Sequence, residues 1–231
     1  MYRAFAFELT DATDDAVAVF AQQLHSEPAT QWALLGQSRM AYKQFDLETA
    51  EEYARQAVAL DDALEAHLQL GAVCVMRSTG TSLRDEYLDR LTTDADDDIA
   101  LHMTQRLSVW LEDWPLVISY GERRLAVEDD PVISSEIGLA HLRLKQYQQA
   151  STTFDSLVRE HPDLPLGLVG HGRVASVRFA LAEAADLYTE VWRSFPDSAQ
   201  YVEEVSGALL EASRYDAVSY THLTLPTILR V

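Results

Sequence analysis

Residues 150–162 read ASTTFDSLVREHP and residues 184–196 read AADLYTEVWRSFP. Ala150, Phe154 and Pro162 return as Ala184, Tyr188 and Pro196, each 34 residues further on. Within each stretch the small residue and the aromatic are four apart. That spacing puts both on one face of a helix, and the proline then opens the next turn, where a missing N–H leaves no helical bond unmade. A helical hairpin cannot bury its apolar face alone. A period of this length therefore predicts hairpins stacked so that neighbours share one elongated core.

Working backwards, Ala16, Phe20 and Pro28 fit the same spacing. Ala50 and Asp62 keep it with Ala54 in the aromatic slot, and Ser119 and Pro131 keep it with Arg123 there. A second beat runs ahead of the first, a large apolar residue followed by Gly or Ser. It reads Leu35-Gly36, Leu70-Gly71, Leu107-Ser108, Ile137-Gly138 and Val205-Ser206, with Gly172 preceded by His171. Small residues here allow two helices to approach closely, and the aromatic fills the space between hairpins.

With Trp32-x2-Leu35-Gly36 added, the chain resembles the tetratricopeptide repeat family, whose 34-residue helix-turn-helix unit has the form W-x2-L-G-x2-Y…A-x3-F…P. The resemblance is strongest over 132–196 and weakest over 63–98. It implies an all-α fold, a right-handed α-solenoid of stacked antiparallel helix hairpins. The units expected are a partial repeat at 1–28, repeats at 29–62, 99–131, 132–162 and 163–196, a divergent one at 63–98, and the first half of another at 197–217. In the first full repeat Thr30 is placed to cap the leading helix, and Leu47–Leu60 is the return helix. The leading helix reads about two residues longer than the family's, so an altered turn is expected near Phe45-Asp46. The run Ser78-Thr79-Gly80-Thr81-Ser82 reads as a turn or a flexible loop, with Ser82 as the next cap.

Both ends of the chain interrupt the period. The phase leads one to expect residues 2–10 to be the tail of a first helix whose beginning would lie before Met1. At the other end, VSYTHLTLPT at 218–227 stands where a return helix should begin, and it is dense in β-branched residues. It resembles the translation of an adaptor used in transposase-based sequencing libraries. Residues 218–231 are therefore expected to be non-native, leaving the apolar Val202, Val205, Leu209 and Leu210 without a covering helix.

Net charge is −19, with 37 Asp and Glu against 18 Lys and Arg. Nucleic acid and anionic membrane surfaces require clustered cations, so neither is an expected partner. The runs Asp14-Asp15, Asp61-Asp62, Asp96-Asp97-Asp98 and Asp129-Asp130 fall at expected helix starts, where carboxylates cap free N–H groups. Asparagine is absent and only Lys43 and Lys145 are lysines, a bias that fits a GC-rich bacterial source. Cys74, the one cysteine, sits in an apolar run and reads as a buried thiol. Neither a membrane-spanning stretch nor a signal-peptide layout is present. A cytoplasmic home is expected, with the periplasm left open.

Signatures of chemistry fail on inspection. Gly170-x-Gly172-x2-Ala175 imitates a dinucleotide loop, but Glu183–Val191 reads as helix where a second strand is needed. Asp94-x-Asp96-x-Asp98 opens like a calcium loop, yet Ile99 stands where Gly is required and Gln105 replaces the bidentate Glu. The seven histidines form no ligand pair and read as surface or half-buried side chains. No enzyme activity, metal or cofactor is expected.

What remains is binding. The resemblance implies that the leading helices of successive hairpins line a concave groove for a peptide or protein partner. Carried onto this sequence, that face takes Met40, Leu68, Val75, Leu101 and Leu111 in the first half. In the second half it takes Leu139, Leu142, Arg143, Val169 and Arg173. The two arginines would anchor carboxylates or backbone carbonyls. The Lys and Asn clamp by which some members hold chaperone C-termini has no counterpart here. The alternatives are the targeting or regulatory arm of a larger enzyme, such as a glycosyltransferase, and a subunit of an envelope-assembly machine.

Overall fold

The computed structural model describes residues 18–20, 30–195, 201 and 206–207. Most of the partial repeat at 1–28, most of 197–217 and the whole tail at 218–231 lie outside them, as does Asp14-Asp15. Among the described residues ten helices run in order: α1 (Gln31–Lys43), α2 (Leu47–Leu60), α3 (Leu64–Met76), α4 (Gly80–Thr93), α5 (Asp98–Trp110), α6 (Trp114–Leu125), α7 (Pro131–Arg143), α8 (Tyr147–Glu160), α9 (Leu166–Val177) and α10 (Leu181–Ser194). No strand occurs among these residues. The chain divides into two compact units, Met1–Asp113 and Trp114–Val231.

Each unit is a stack of antiparallel helices. In the first, α1 packs on α2 and α3, and α3 on α4 and α5. In the second, α7 touches α6, α8 and α9, and α9 touches α8 and α10. Odd-numbered helices meet several neighbours and are buried around much of their circumference. Thus α1 buries Ala33, Leu34, Leu35, Gly36, Gln37, Ser38, Met40 and Ala41. The return helix α2 buries only Ala50, Ala54 and Ala57, one stripe at helical spacing.

The turns set the register. Phe45, Ser78, Glu112, Lys145 and Phe179 all have φ between 57° and 63°, and they recur every 33 or 34 residues. At each, the same two main-chain bonds close the helix. At Lys145 they are Lys145 N–H to Leu142 O at 3.0 Å and Gln146 N–H to His141 O at 2.8 Å, and at Ser78 they are Ser78 N–H to Val75 O at 3.0 Å and Thr79 N–H to Cys74 O at 2.8 Å. This is a Schellman closure with a side-chain-bearing residue in the left-handed position that glycine usually fills.

Two expectations are corrected by these turns. Ser78–Ser82 holds the same turn as the other four, and α4 begins at Gly80, two residues after the left-handed position. A Cβ on Gly80 would lie 2.9 Å from Val75 Cγ2, so glycine serves close approach there. The turn at Phe45-Asp46 is likewise unaltered, and α1 has the same 13 residues as α3, α5 and α7. The apparent extra length came from counting Gly36. Measured back from the turn, the slot of Gly138 and Gly172 is occupied by Ser38, whose Oγ donates to Ala50 O at 2.8 Å. By the same measure the small and aromatic slots of α6 hold Val117 and Gly121, two residues before Ser119 and Arg123.

Packing explains the beat where it is strongest. A Cβ on Gly138 would sit 2.6 Å from Phe154 Cε1, and Gly170 faces the same ring. A Cβ on Gly172 would sit 2.7 Å from Tyr188 Cζ. Phe154 is fully buried, and Ala150 beside it is also at 0% exposure.

The acidic runs divide between capping and pairing. Asp97 caps α5 by accepting from Ala100 N–H, and Asp130 caps α7 by accepting from Val132 and Ile133 N–H. Asp62 does not cap: it accepts from His67 Nε2 at 2.6 Å. His67, expected at the surface or half-buried, is 1% exposed, and its Nδ1 lies 2.6 Å from the Tyr87 hydroxyl. In the neutral ring, with Nε2 donating to the carboxylate, Nδ1 accepts and Tyr87 donates. Burial pushes the Tyr87 phenol up despite the Arg90 charge nearby, which keeps it a donor. Arg90 continues the chain through Asp97 Oδ2 at 2.8 Å.

Candidate interaction cleft

Helices α7 and α9 lie against each other in the second unit, and each presents three residues at i, i+3 and i+4 to a common cleft. From α7 these are Leu139, Leu142 and Arg143; from α9, 34 residues on, they are Arg173, Ser176 and Val177. Lys145 from the turn, Tyr147 at the start of α8 and Tyr188 of α10 complete the wall, around about 510 Å³.

The floor is fixed by the core beneath it. Leu142 packs with Ala150, Phe154, Leu157 and Val174, and Leu139 and Tyr147 lean on the same cluster. Tyr188 is 3% exposed and belongs to the cluster of Val169, Ala184 and Val191. The Arg143 guanidinium stands 5.8 Å from the centre of the Trp114 ring, which orients it by cation–π attraction.

The structure therefore gathers Leu139, Leu142, Arg143 and Arg173 of the sequence-derived set around one cleft. Val169 is not with them: at 1% exposure it is core. In the first unit Met40 and Leu101 are buried, and Leu68, Val75 and Leu111 are half-buried. Val75 and Leu111 pack around Gly80. Sequence reasoning missed Lys145, Tyr147 and Tyr188. They come from the turn and the return helices, which a face-of-helix pattern does not cover.

Two other hollows differ in chemistry. In the second unit Glu122, His141, Gln148, Thr152, Ser156 and Glu160 help to line about 420 Å³ on the side of α6 and α8. Thr152 and Thr153 donate to Gln148 O and Gln149 O of their own helix at 3.0 Å. In the first unit a hollow of about 180 Å³ holds Arg55, His67, Glu86, Tyr87 and Arg90. Its cations are engaged, Arg55 by Glu51 and Glu86, and Arg90 by Asp97 and Asp62. Among the described residues no group of three or more His, Cys, Asp or Glu is arranged to hold a metal ion. Cys74 is buried and desolvation pushes its thiol up, which leaves it protonated and unreactive. No helix among these residues is long and apolar enough to cross a membrane.

Comparison with known proteins agrees with this architecture. A family model described as tetratricopeptide repeat matches residues 136–164, which takes in α7 from Glu136 onward, its turn and all of α8. The chain has the tetratricopeptide-repeat fold. PilW, described as a widely conserved type IV pilus biogenesis factor, superimposes with a TM-score of 0.64 at 19% identity, covering 90% of this chain and 96% of PilW. A tetratricopeptide repeat protein from Parabacteroides merdae gives 0.59 at 15% identity over 83% of this chain and 77% of its own. YrrB, described as having an unusual peptide-binding site, gives 0.51 at 16% identity over 86% of this chain and all of its own. Among curated proteins none matches the chain.

Proposed function

We propose that this tetratricopeptide-repeat chain is a protein-interaction scaffold, not a catalyst, and that it docks an extended segment of a partner in the α7/α9 cleft. One observation carries the reading. Positions 34 apart on two adjacent helices, Leu139 with Arg173 and Arg143 with Val177, face one hollow of about 510 Å³. Such a ladder offers alternating apolar and donor groups to an extended main chain, the arrangement that peptide recognition uses. Arg143 and Arg173 supply planar donors for carbonyls or carboxylates.

Selection of a random peptide library on the immobilised chain tests this. Sequences enriched on the natural protein should be lost on Ser176→Trp, which fills the cleft from α9 and whose folding is checked by circular dichroism. Equal enrichment on both proteins would place the docking site elsewhere. A scaffold of this kind serves a cytoplasmic complex or the interaction arm of a larger enzyme by the same contacts.

A further inference from the structure

Phe179 combines two features that work against folding. It is held at φ 59°, in the region that favours glycine, and its side chain is 85% exposed. Neither contributes to the core of the second unit. The residue adjoins the cleft: its N–H donates to the carbonyl of Ser176, a cleft residue, at 3.0 Å. Val177, which also lines the cleft, is 45% exposed.

The charge at this edge runs against the rest of the chain. Among the described residues the cleft is lined by Arg143, Lys145 and Arg173 and by no carboxylate, although Asp and Glu outnumber Lys and Arg by 37 to 18 overall. The hollow on the α6/α8 side carries Glu122 and Glu160 instead. Arg178, exposed beside Phe179, adds a further cation at the turn.

From this complementarity, and from the continuity of the turn with the cleft, we propose that Phe179 extends the cleft into a basic, aromatic edge. Its occupant is an acidic segment of a partner protein that carries an aliphatic or aromatic side chain. Carboxylates lie against Arg143 and Lys145, and the apolar side chain lies against Phe179 and Val177. The proposal rests on the docking reading above and adds the class of partner.

The test uses the full chain and three fluorescein-labelled peptides of equal length. They share their Leu and Phe positions, and the intervening residues are Asp and Glu, Ser and Gln, or Lys and Arg. Anisotropy titrations should show the acidic peptide binding roughly tenfold tighter than the neutral one at low salt, with the gap closing as salt is added. Phe179→Gly should weaken the acidic peptide about five- to tenfold without lowering the thermal midpoint. Phe45→Gly, at the equivalent turn of the other unit, should leave the affinity unchanged. Equal binding of acidic and neutral peptides, or full affinity in Phe179→Gly, would overturn the proposal and leave the docking reading standing. If the folded chain binds none of the three peptides, the docking reading falls and this one with it. A single-stranded RNA that binds more tightly than any peptide would also overturn it.

Discussion

Hairpins α3/α4 and α7/α8 have the same turn and the same helix lengths, yet they spend their side chains differently. In α7/α8 the Phe154 ring seals the gap between helices by resting on Gly138 and on Gly170 of the next helix. In α3/α4 Gly71 faces Met103 and Trp110 of α5, and the aromatic Tyr87 gives its hydroxyl to His67. One hairpin is closed by shape and the other by a buried hydrogen-bonded chain from Asp62 through His67 to Tyr87. The repeat fixes where volume and polarity must be satisfied, and it leaves open which side chain does so.

The sharpest way to break this comparison is to shorten each aromatic. Phe154→Ala should lose about 3–5 kcal/mol, since a fully buried ring leaves a cavity between three helices. Tyr87→Phe keeps the ring and removes only the donor, leaving His67 Nδ1 unpaired at a cost of about 1–3 kcal/mol. Urea denaturation of both variants checks the pair. A neutral Tyr87→Phe would mean that the hydrogen-bonded chain contributes nothing and that both hairpins are held by shape alone.

A second contrast lies in the glycines. On Gly138 a new Cβ meets the fully buried Phe154 ring at 2.6 Å, whereas on Gly71 it meets the flexible Met103 Cε at 2.9 Å and the partly exposed Trp110 ring at 3.0 Å. Gly138→Ala is expected to cost about 1–3 kcal/mol through overpacking. Gly71→Ala is expected to be nearly neutral, because the gain of up to about 1 kcal/mol in helix propensity offsets small shifts of Met103 and Trp110. Phe154→Leu should recover part of the loss in Gly138→Ala, and a double-mutant cycle measures that recovery. Equal effects at both glycines would show that the two slots are under the same constraint.

How much of this was legible follows from the same contrast. The beat was readable where one large side chain meets one glycine, as at Phe154 with Gly138 and Tyr188 with Gly172. It slipped by two residues at Gly36 and at Ser119, because Ser38 and Gly121 do not look like members of their slots. The left-handed residue of each turn has no signature in the sequence: a Schellman closure is made by main-chain groups, and Phe, Ser, Glu, Lys and Phe share no side-chain chemistry. His67 looked like any surface histidine, since its partners lie five residues before it and 20 after it. In the cleft, Leu139, Leu142, Arg143 and Arg173 followed from the family resemblance, which assigns the leading helices to a concave face. Tyr188 was visible as a packing residue but not as a wall of the cleft, because it reaches there from the return helix.

The smallest expected effect concerns what the two hairpins have in common. Ser78 and Lys145 sit at φ 63° and 61° at equivalent places, and both are exposed. A side chain in this region crowds the following carbonyl, which costs a non-glycine residue roughly 1–2 kcal/mol, and glycine removes that strain. Part of the gain is returned because glycine widens the unfolded ensemble. Ser78→Gly and Lys145→Gly should therefore each stabilise the chain by about 0.5–1 kcal/mol, read as a rise in thermal midpoint. The two gains should agree, since the bonds closing the two turns are the same. A gain confined to Lys145 would mean that the turn of α3/α4 is relaxed by its own surroundings, with Gly80 two residues on providing the freedom that Ser78 lacks.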